Sequence, residues 1–244
     1  MFYIEVFVIT LLLSTFFAMG GVGSAVALVP VLNFLGINFN VSKAIGLFVN
    51  TTTTLTATIM NLKRGVLDIK FALPLAISLA LFAPIGAYIS QYVSENIIKT
   101  LFLIFLIFSG SMLIFGKKER KFSYTNQFIM IVLGGIVGII SGLLGIGGGS
   151  LLMPILILLG FNAKKLAVAM SFVIPFSTFT AFLTYLSFIH IDYALLLTTT
   201  ISAIIGGFIG NRIMHFKLEA SHIKKIIGLM LYLIALKLGI GLFF

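Results

Sequence analysis

Apolar residues run along this chain in long blocks, without the strict alternation of a strand or the one-sided stripe of a surface helix. Six blocks, 41–62, 71–91, 95–116, 165–188, 193–213 and 219–243, are each long enough to cross a ~30 Å hydrocarbon core as a helix. Two further regions, 2–36 and 126–160, are as apolar but broken by glycine. Each holds 35 residues, too many for one straight span and too few for two full ones, which need about 40. The stretch "GLLGIGGGSLLMPILILLGF" (142–161) shows the oddity best, with six glycines in an oily run. Glycine inside a helix costs roughly 1 kcal/mol relative to alanine, so such clustering needs a reason.

The polar breaks carry the basic residues. Lys63, Arg64 and Lys70 flank one; Lys117, Lys118, Arg120 and Lys121 crowd a second; Lys164 and Lys165 mark a third; Arg212, Lys217, Lys224 and Lys225 mark a fourth. Basic loops stay in the cytoplasm. With these four inside, only Lys43, Lys99 and Lys237 of the 16 basic residues are left toward the outside, and both termini are extracytoplasmic. Region 126–160 then joins two cytoplasmic loops and must enter and return on one side, while region 2–36 does the same from outside. Each is predicted to be a helical hairpin of two short arms, with its glycines at an apex inside the membrane.

The halves repeat one another. "GGVGSAVALVPVLNFLG" (20–36) aligns with "LGIGGGSLLMPILILLG" (144–160) at an offset of 124, placing Gly21 on Gly145, Gly23 on Gly147, Pro30 on Pro154 and Gly36 on Gly160. The same offset carries Asp68 onto Asp192, Gly86 onto Gly210 and Glu95 onto Glu219. The predicted fold is an all-α integral membrane protein of two inverted-topology repeats, 1–122 and 123–244. Each repeat is a glycine-broken helical hairpin plus three transmembrane helices. Such halves hold a substrate near the bilayer midplane between them.

Composition agrees. Hydrophobic residues make up 60% of the 244 and charged residues 9%, with a mean hydropathy of +1.23. A soluble globule carries about 25% charged residues. The net charge of +10 comes from short clusters between apolar runs, which suits anionic headgroups of a lipid bilayer, so no nucleic-acid partner is expected. There is no cysteine for a disulfide or a thiolate metal site, and no cofactor is expected. The opening "MFYIEVF" lacks the basic start of a cleavable signal peptide. No H-E-x-x-H, G-x-S-x-G or G-x-x-x-x-G-K-[ST] occurs, so zinc-protease, esterase and ATP-driven readings lack their machinery. "GIGGGS" approaches a dinucleotide loop, but Ser150 replaces its last glycine and no βαβ unit surrounds it.

The apex glycines point to an anion. Broken backbone inside a bilayer must be buried in protein or line a cavity. A half-helix N-terminus offers free N–H groups and a positive dipole end, and glycine lets an anion come close to both. The second arms begin near Ser24 and Ser150, so Gly21, Gly23, Ser24, Gly147, Gly148, Gly149 and Ser150 are the candidate substrate contacts. None of the basic residues lies securely in mid-membrane, so no buried arginine is needed. The run "NTTTT" (50–54) crosses the middle of its span, and Asn50 and Thr51 join the list; its counterpart holds Ser171, Ser177 and Thr178. Gly134, Gly138, Gly142, the glycines of 206–210 and "TTT" (198–200) read as helix packing. Pro30 and Pro154 punctuate the second arms. Asp68 and Asp192 begin spans, as N-caps or, alternatively, as proton-coupling groups.

A glycine-rich apex, small and apolar residues, a proline and "LxxLG", twice in a chain of this length, resemble the sulfite exporter TauE/SafE family. The resemblance implies an anion transporter of the cytoplasmic (inner) membrane, with sulfite, sulfonates or related sulfur-containing acids as substrates. It also implies a serine in the helix after the hairpin, present here as Ser171 in "AVAMSFV" and replaced in the first half by Leu47 in "KAIGLFV". The function expected is secondary transport of a small anionic substrate by alternating access, for which a homo-oligomer is one open assembly. Two other classes compete: a non-transporting scaffold or maturation subunit, and a passive anion channel. Aqueous access to residues 50–54 separates the first from a transporter, and gradient coupling separates the second.

Overall fold

The computed structural model describes residues 1–21, 23–115, 127–216 and 220–243. The basic cluster Lys117, Lys118, Arg120 and Lys121, with Lys217, Glu219 and the predicted boundary at 122, lies outside the described residues. The described chain forms ten α-helices, and no strand occurs among these residues. They are α1 Phe2–Gly20, α2 Ala25–Phe34, α3 Phe39–Lys63, α4 Ile69–Ile89, α5 Glu95–Phe115, α6 Gln127–Leu144, α7 Gly148–Leu158, α8 Ala163–Leu186, α9 Tyr193–Phe216 and α10 Ala220–Phe243.

Six helices, α1, α4, α5, α8, α9 and α10, are long and apolar enough to cross a membrane. With 25 residues α3 has the length, but Asn50 and its four threonines make it more polar. Leucine, isoleucine and phenylalanine cover the outward faces, as at Leu81, Ile104, Leu197 and Leu236, where lipid is the natural solvent. The hairpins differ from the expected pair of short arms. First arms α1 and α6 have 19 and 18 residues, and only the second arms, α2 and α7, are short at 10 and 11. The glycines are unevenly placed in 2–36 and 126–160, so the break falls past the middle of each region.

Local chemistry sets the helix starts in the same way in both halves. The Asn38 side chain accepts from the N–H groups of Asn40 and Val41 to start α3, and Asn162 accepts from Lys164 and Lys165 to start α8. Asp68 accepts from the Phe71 N–H at 3.2 Å, and Asp192 from the Ala194 N–H at 2.9 Å. These are the N-caps expected of both aspartates. Pro30 and Pro154 sit inside α2 and α7.

Small residues bring the long helices together. Gly206 faces Leu11, Ser14 and Thr15 while Gly210 faces Thr15 and Ala18, so α9 runs parallel to α1. Gly134, Gly138 and Gly142 follow Ser78, Phe82 and Ala83 up α4, so α6 runs parallel to α4. These glycines serve packing, as expected. In contrast, α3 and α8 run antiparallel: Phe48 meets Phe182, Thr51 meets Thr178 and Thr58 reaches Ser171. The α5–α10 pair is antiparallel too, with Leu103 near Gly239 and Gly110 near Gly228. Exchanging each helix for its counterpart maps α1·α9 onto α6·α4 and α2·α3 onto α7·α8, and returns α3·α8 and α5·α10 to themselves. The α3–α8 pair forms the interior, with 72% of the apolar window of α8 buried against 28–44% in the other five candidate spans.

Candidate functional site

Near the middle of α3 and α8, Thr51 Oγ1 lies 2.7 Å from Thr178 Oγ1. Each hydroxyl is also 2.9 Å from a carbonyl one turn back on its own helix, Leu47 or Ile174. A hydroxyl has one proton, so one threonine donates across the pair while the other bonds back to its helix. Asn50 precedes Thr51 and reaches both hairpin apexes. Its Nδ2 donates to the Ile146 carbonyl at 3.2 Å, and its amide fills the space that a side chain on Gly23 would take. Among the described residues its Oδ1 has no hydrogen-bond partner, though it is buried.

The apex after α6 shows why glycine is required. Gly147, the N-cap of α7, has φ 81 and ψ 135, a conformation costly for any L-residue. A Cβ there would also run into Thr178 and lie 2.9 Å from Asn50 Nδ2. Gly148 follows, its N–H donating to Ser177 Oγ at 3.3 Å, and Gly149 packs against Ile174. The second arm, expected to begin near Ser150, begins two residues before it, at Gly148. Ser150 is the third residue of α7, and its hydroxyl turns back to the Ile146 carbonyl at 3.2 Å. Two consecutive glycines after Gly147 let the helix start earlier.

At the other apex Gly21 ends α1 in the left-handed conformation and packs on Ala167 of α8. Ser24 is the N-cap of α2 but makes no side-chain cap; its Oγ accepts from Ser14 Oγ at 3.5 Å, and Thr53 reaches the same Ser14. Gly23, Ser24, Asn50, Thr51, Gly147, Gly148, Gly149 and Ser150 therefore gather around the α3–α8 crossing. The two short helices start there. Ser24, Asn50 and Ser150 are fully buried and Thr51 is 3% exposed, so the centre is sealed.

Ser171 stands apart. It lies about two turns from Thr178, accepts from Asn61 Nδ2 at 3.0 Å and donates to the Val168 carbonyl at 2.6 Å. Asp68 and Asp192 are farther still, at helix starts. Tyr3 donates to Asp192 at 2.8 Å, and that bond, with the Ala194 N–H, holds the exposed carboxyl below its usual range. Near Asp68 a cavity of about 310 Å³ opens between the starts of α4 and α8, lined among others by Phe71, Phe161, Asn162 and Lys165.

The sequence reading missed one group. Lys43, expected on the outer side with no basic residue securely in mid-membrane, is fully buried inside α3. Its ammonium donates to Ser90 Oγ at 2.6 Å and lies 5.1 Å from the ring centres of Phe39 and Tyr185. Its stem passes over Gly145, where a side chain would collide with it. The available signal was the alignment of "KAIGLFV" with "AVAMSFV", which sets Lys43 against Ala167.

The family described as "Sulfite exporter TauE/SafE" matches residues 6–238. The chain is 28% identical over 267 aligned residues to "Probable membrane transporter protein YunE" of Bacillus subtilis, covering 98% of this chain and 97% of that protein. A probable membrane transporter protein of Methanocaldococcus jannaschii is 28% identical over 238 residues, 87% of this chain and 89% of its own length. A "Sulfite exporter TauE/SafE family protein 3" of Arabidopsis thaliana is 30% identical over 139 residues, 54% of this chain and 29% of its own.

Proposed function

Since the chain belongs to the sulfite exporter TauE/SafE family, a family of membrane transporters, we propose that it carries a small sulfur-containing oxyanion such as sulfite or an organosulfonate by alternating access. The observation that carries this reading is the reach of Asn50 to both apexes, at Gly23 and at Ile146, which sets the starts of α2 and α7 at one buried centre. Two positive helix ends facing one point make an anion site without a charged side chain at that point. Main-chain N–H groups would supply the charge recognition, while Asn50, Thr51 and Thr178 orient the oxyanion.

The antiparallel α3–α8 and α5–α10 pairs, and the exchange of helix pairs between halves, support a two-fold axis in the membrane plane and hence inverted repeats. Rocking about that axis would open the sealed centre to each side in turn. The cavity near Asp68 and Lys165, with Ser171 and Asn61 deeper along α8 and α3, marks the inner approach. At its rim Asp68 is better placed than Asp192 to carry a coupling proton. With the basic loops inside the cytoplasmic membrane, both termini face out.

The test is flux in proteoliposomes, screening sulfite, sulfonates, sulfate and carboxylates. Saturable sulfite uptake driven by an ion gradient is the expected result. It should be abolished by Gly23→Leu and Gly147→Leu and kept by Gly239→Leu, whose nearest neighbour is an ordinary 3.7 Å away. Equal losses at all three positions in inserted protein would favour a packing role for the apex glycines. Gradient-independent flux would make it a channel, and no flux of any anion would favour the scaffold.

A further inference from the structure

The pseudo-equivalent halves differ in chemistry around Lys43. At the first apex Gly21 packs on Ala167, a methyl group that suffices to hold the turn against α8. At the second apex Gly145 packs on Lys43 in the matching place on α3. The fold therefore works at this contact without a charge, yet one copy buries a lysine head group there. Burying a cation with no counter-ion is costly, and such groups are kept for function.

No carboxylate lies within ion-pair distance of Lys43 among the described residues. Glu95 attracts it from farther off but is itself engaged by Lys99 at 2.6 Å. Its immediate contacts are neutral: the Ser90 hydroxyl, the faces of Phe39 and Tyr185, and Tyr185's own hydroxyl, which donates to Ser90 Oγ at 2.9 Å. The Lys99–Glu95 pair sits farther off, with Lys99 5.2 Å from the centre of the same Phe39 ring. An ammonium has three donors, and among the described residues the bond to Ser90 is the one that uses any. Aromatic faces steady a cation without neutralising it. The result is a dry, hydroxyl-flanked positive charge beside a hairpin apex, a setting made for a transient anion.

We infer that Lys43, with Ser90 and Tyr185, forms a second anion-binding station for a small oxyanion, between the central site and the end of the bundle where α3 begins. This inference rests on the transport reading for its place on a route, but the binding itself does not. The station is one-sided, because Ala167 occupies the matching place toward the other end.

The experiment uses full-length protein in detergent, with sodium sulfite and sodium sulfate as probes in thermal unfolding, and the same variants in sulfite flux. Lys43→Met keeps the stem's volume and removes a buried charge, a change that usually leaves folding intact or improves it. Sulfite should raise the melting temperature of the wild type, and Lys43→Met should need roughly tenfold more anion or higher, the worth of one charge-assisted hydrogen bond. Ser90→Ala, which keeps the charge, should shift the midpoint less. Equal response of Lys43→Met and wild type, or a wild type unmoved by either anion, overturns the station. Flux then separates the two readings. Sulfite that protects the wild type through Lys43 but never crosses overturns transport and leaves the station standing. Sulfite that crosses equally well in Lys43→Met overturns the station on the route and leaves transport standing.

Discussion

Ser24→Asp is the sharpest probe of a site made from helix ends. Ser24 is the N-cap of α2, fully buried, and its hydroxyl makes no cap to that helix, accepting from Ser14 Oγ at 3.5 Å. Serine, asparagine and aspartate are comparable N-caps, so helix stability predicts little change on substitution. The dipole at the start of α2 would offset part of the cost of burying an aspartate there, by about 0.3–1 kcal/mol. For an arriving anion the new charge is repulsive. Two unit negative charges about 4 Å apart repel by roughly 4 kcal/mol at an effective dielectric constant of ~20. That corresponds to about three orders of magnitude in affinity. The assay is sulfite uptake into proteoliposomes at mildly alkaline pH, which keeps the carboxylate ionised, with Ser24→Asn as the neutral control. The asparagine variant should transport with a half-saturation near wild type, and the aspartate variant, melting lower because its carboxylate is buried, should insert yet fail to saturate. Normal saturation by an inserted, ionised Ser24→Asp protein would sink the helix-terminus site.

Thr51→Val and Thr178→Val should each weaken half-saturation by about 0.5–1.5 kcal/mol, tenfold or less, because one neutral hydrogen bond is lost while main-chain recognition remains. Ser171→Ala, two turns away, should do less, and a larger loss there would move the site toward Asn61. The carboxyl of Asp192 is held low first by the Tyr3 hydroxyl, so its contribution is present above the unfolded carboxylate value of about 3.9 and is lost as pH falls through the lowered folded value. Tyr3→Phe should therefore melt slightly lower than wild type at neutral pH, with the gap closing in acid; a gap that persists in acid would show that the bond is not its source. Reporter fusions should place both termini outside, and a cytoplasmic terminus would break the inversion of the halves.

The sequence alone determined the class and came within a few residues of the limits of α3, α4, α5, α8 and α9, because these depend on local properties, but it took α1 and α6 for short arms. A block of apolar residues and a flanking cap suffice to define α4 and α9. The internal repeat was also legible, since an offset of 124 between motifs needs no geometry. What the sequence could not rank was which polar residues meet. Asn50, Thr51 and Ser171 looked alike as hydroxyl or amide groups in apolar helices, but the antiparallel crossing brings Thr51 to Thr178 and sends Ser171 to Asn61. Lys43 carries the same lesson. Near the start of a span, a lysine can snorkel to the interface or turn inward. Only Ser90, Phe39 and Tyr185 around it and the bare apex at Gly145 beneath it decide for the interior, and three of these four lie outside α3. Helix limits follow from neighbours in the chain. Burial of a charge follows from neighbours across the bundle, which only the tertiary structure supplies.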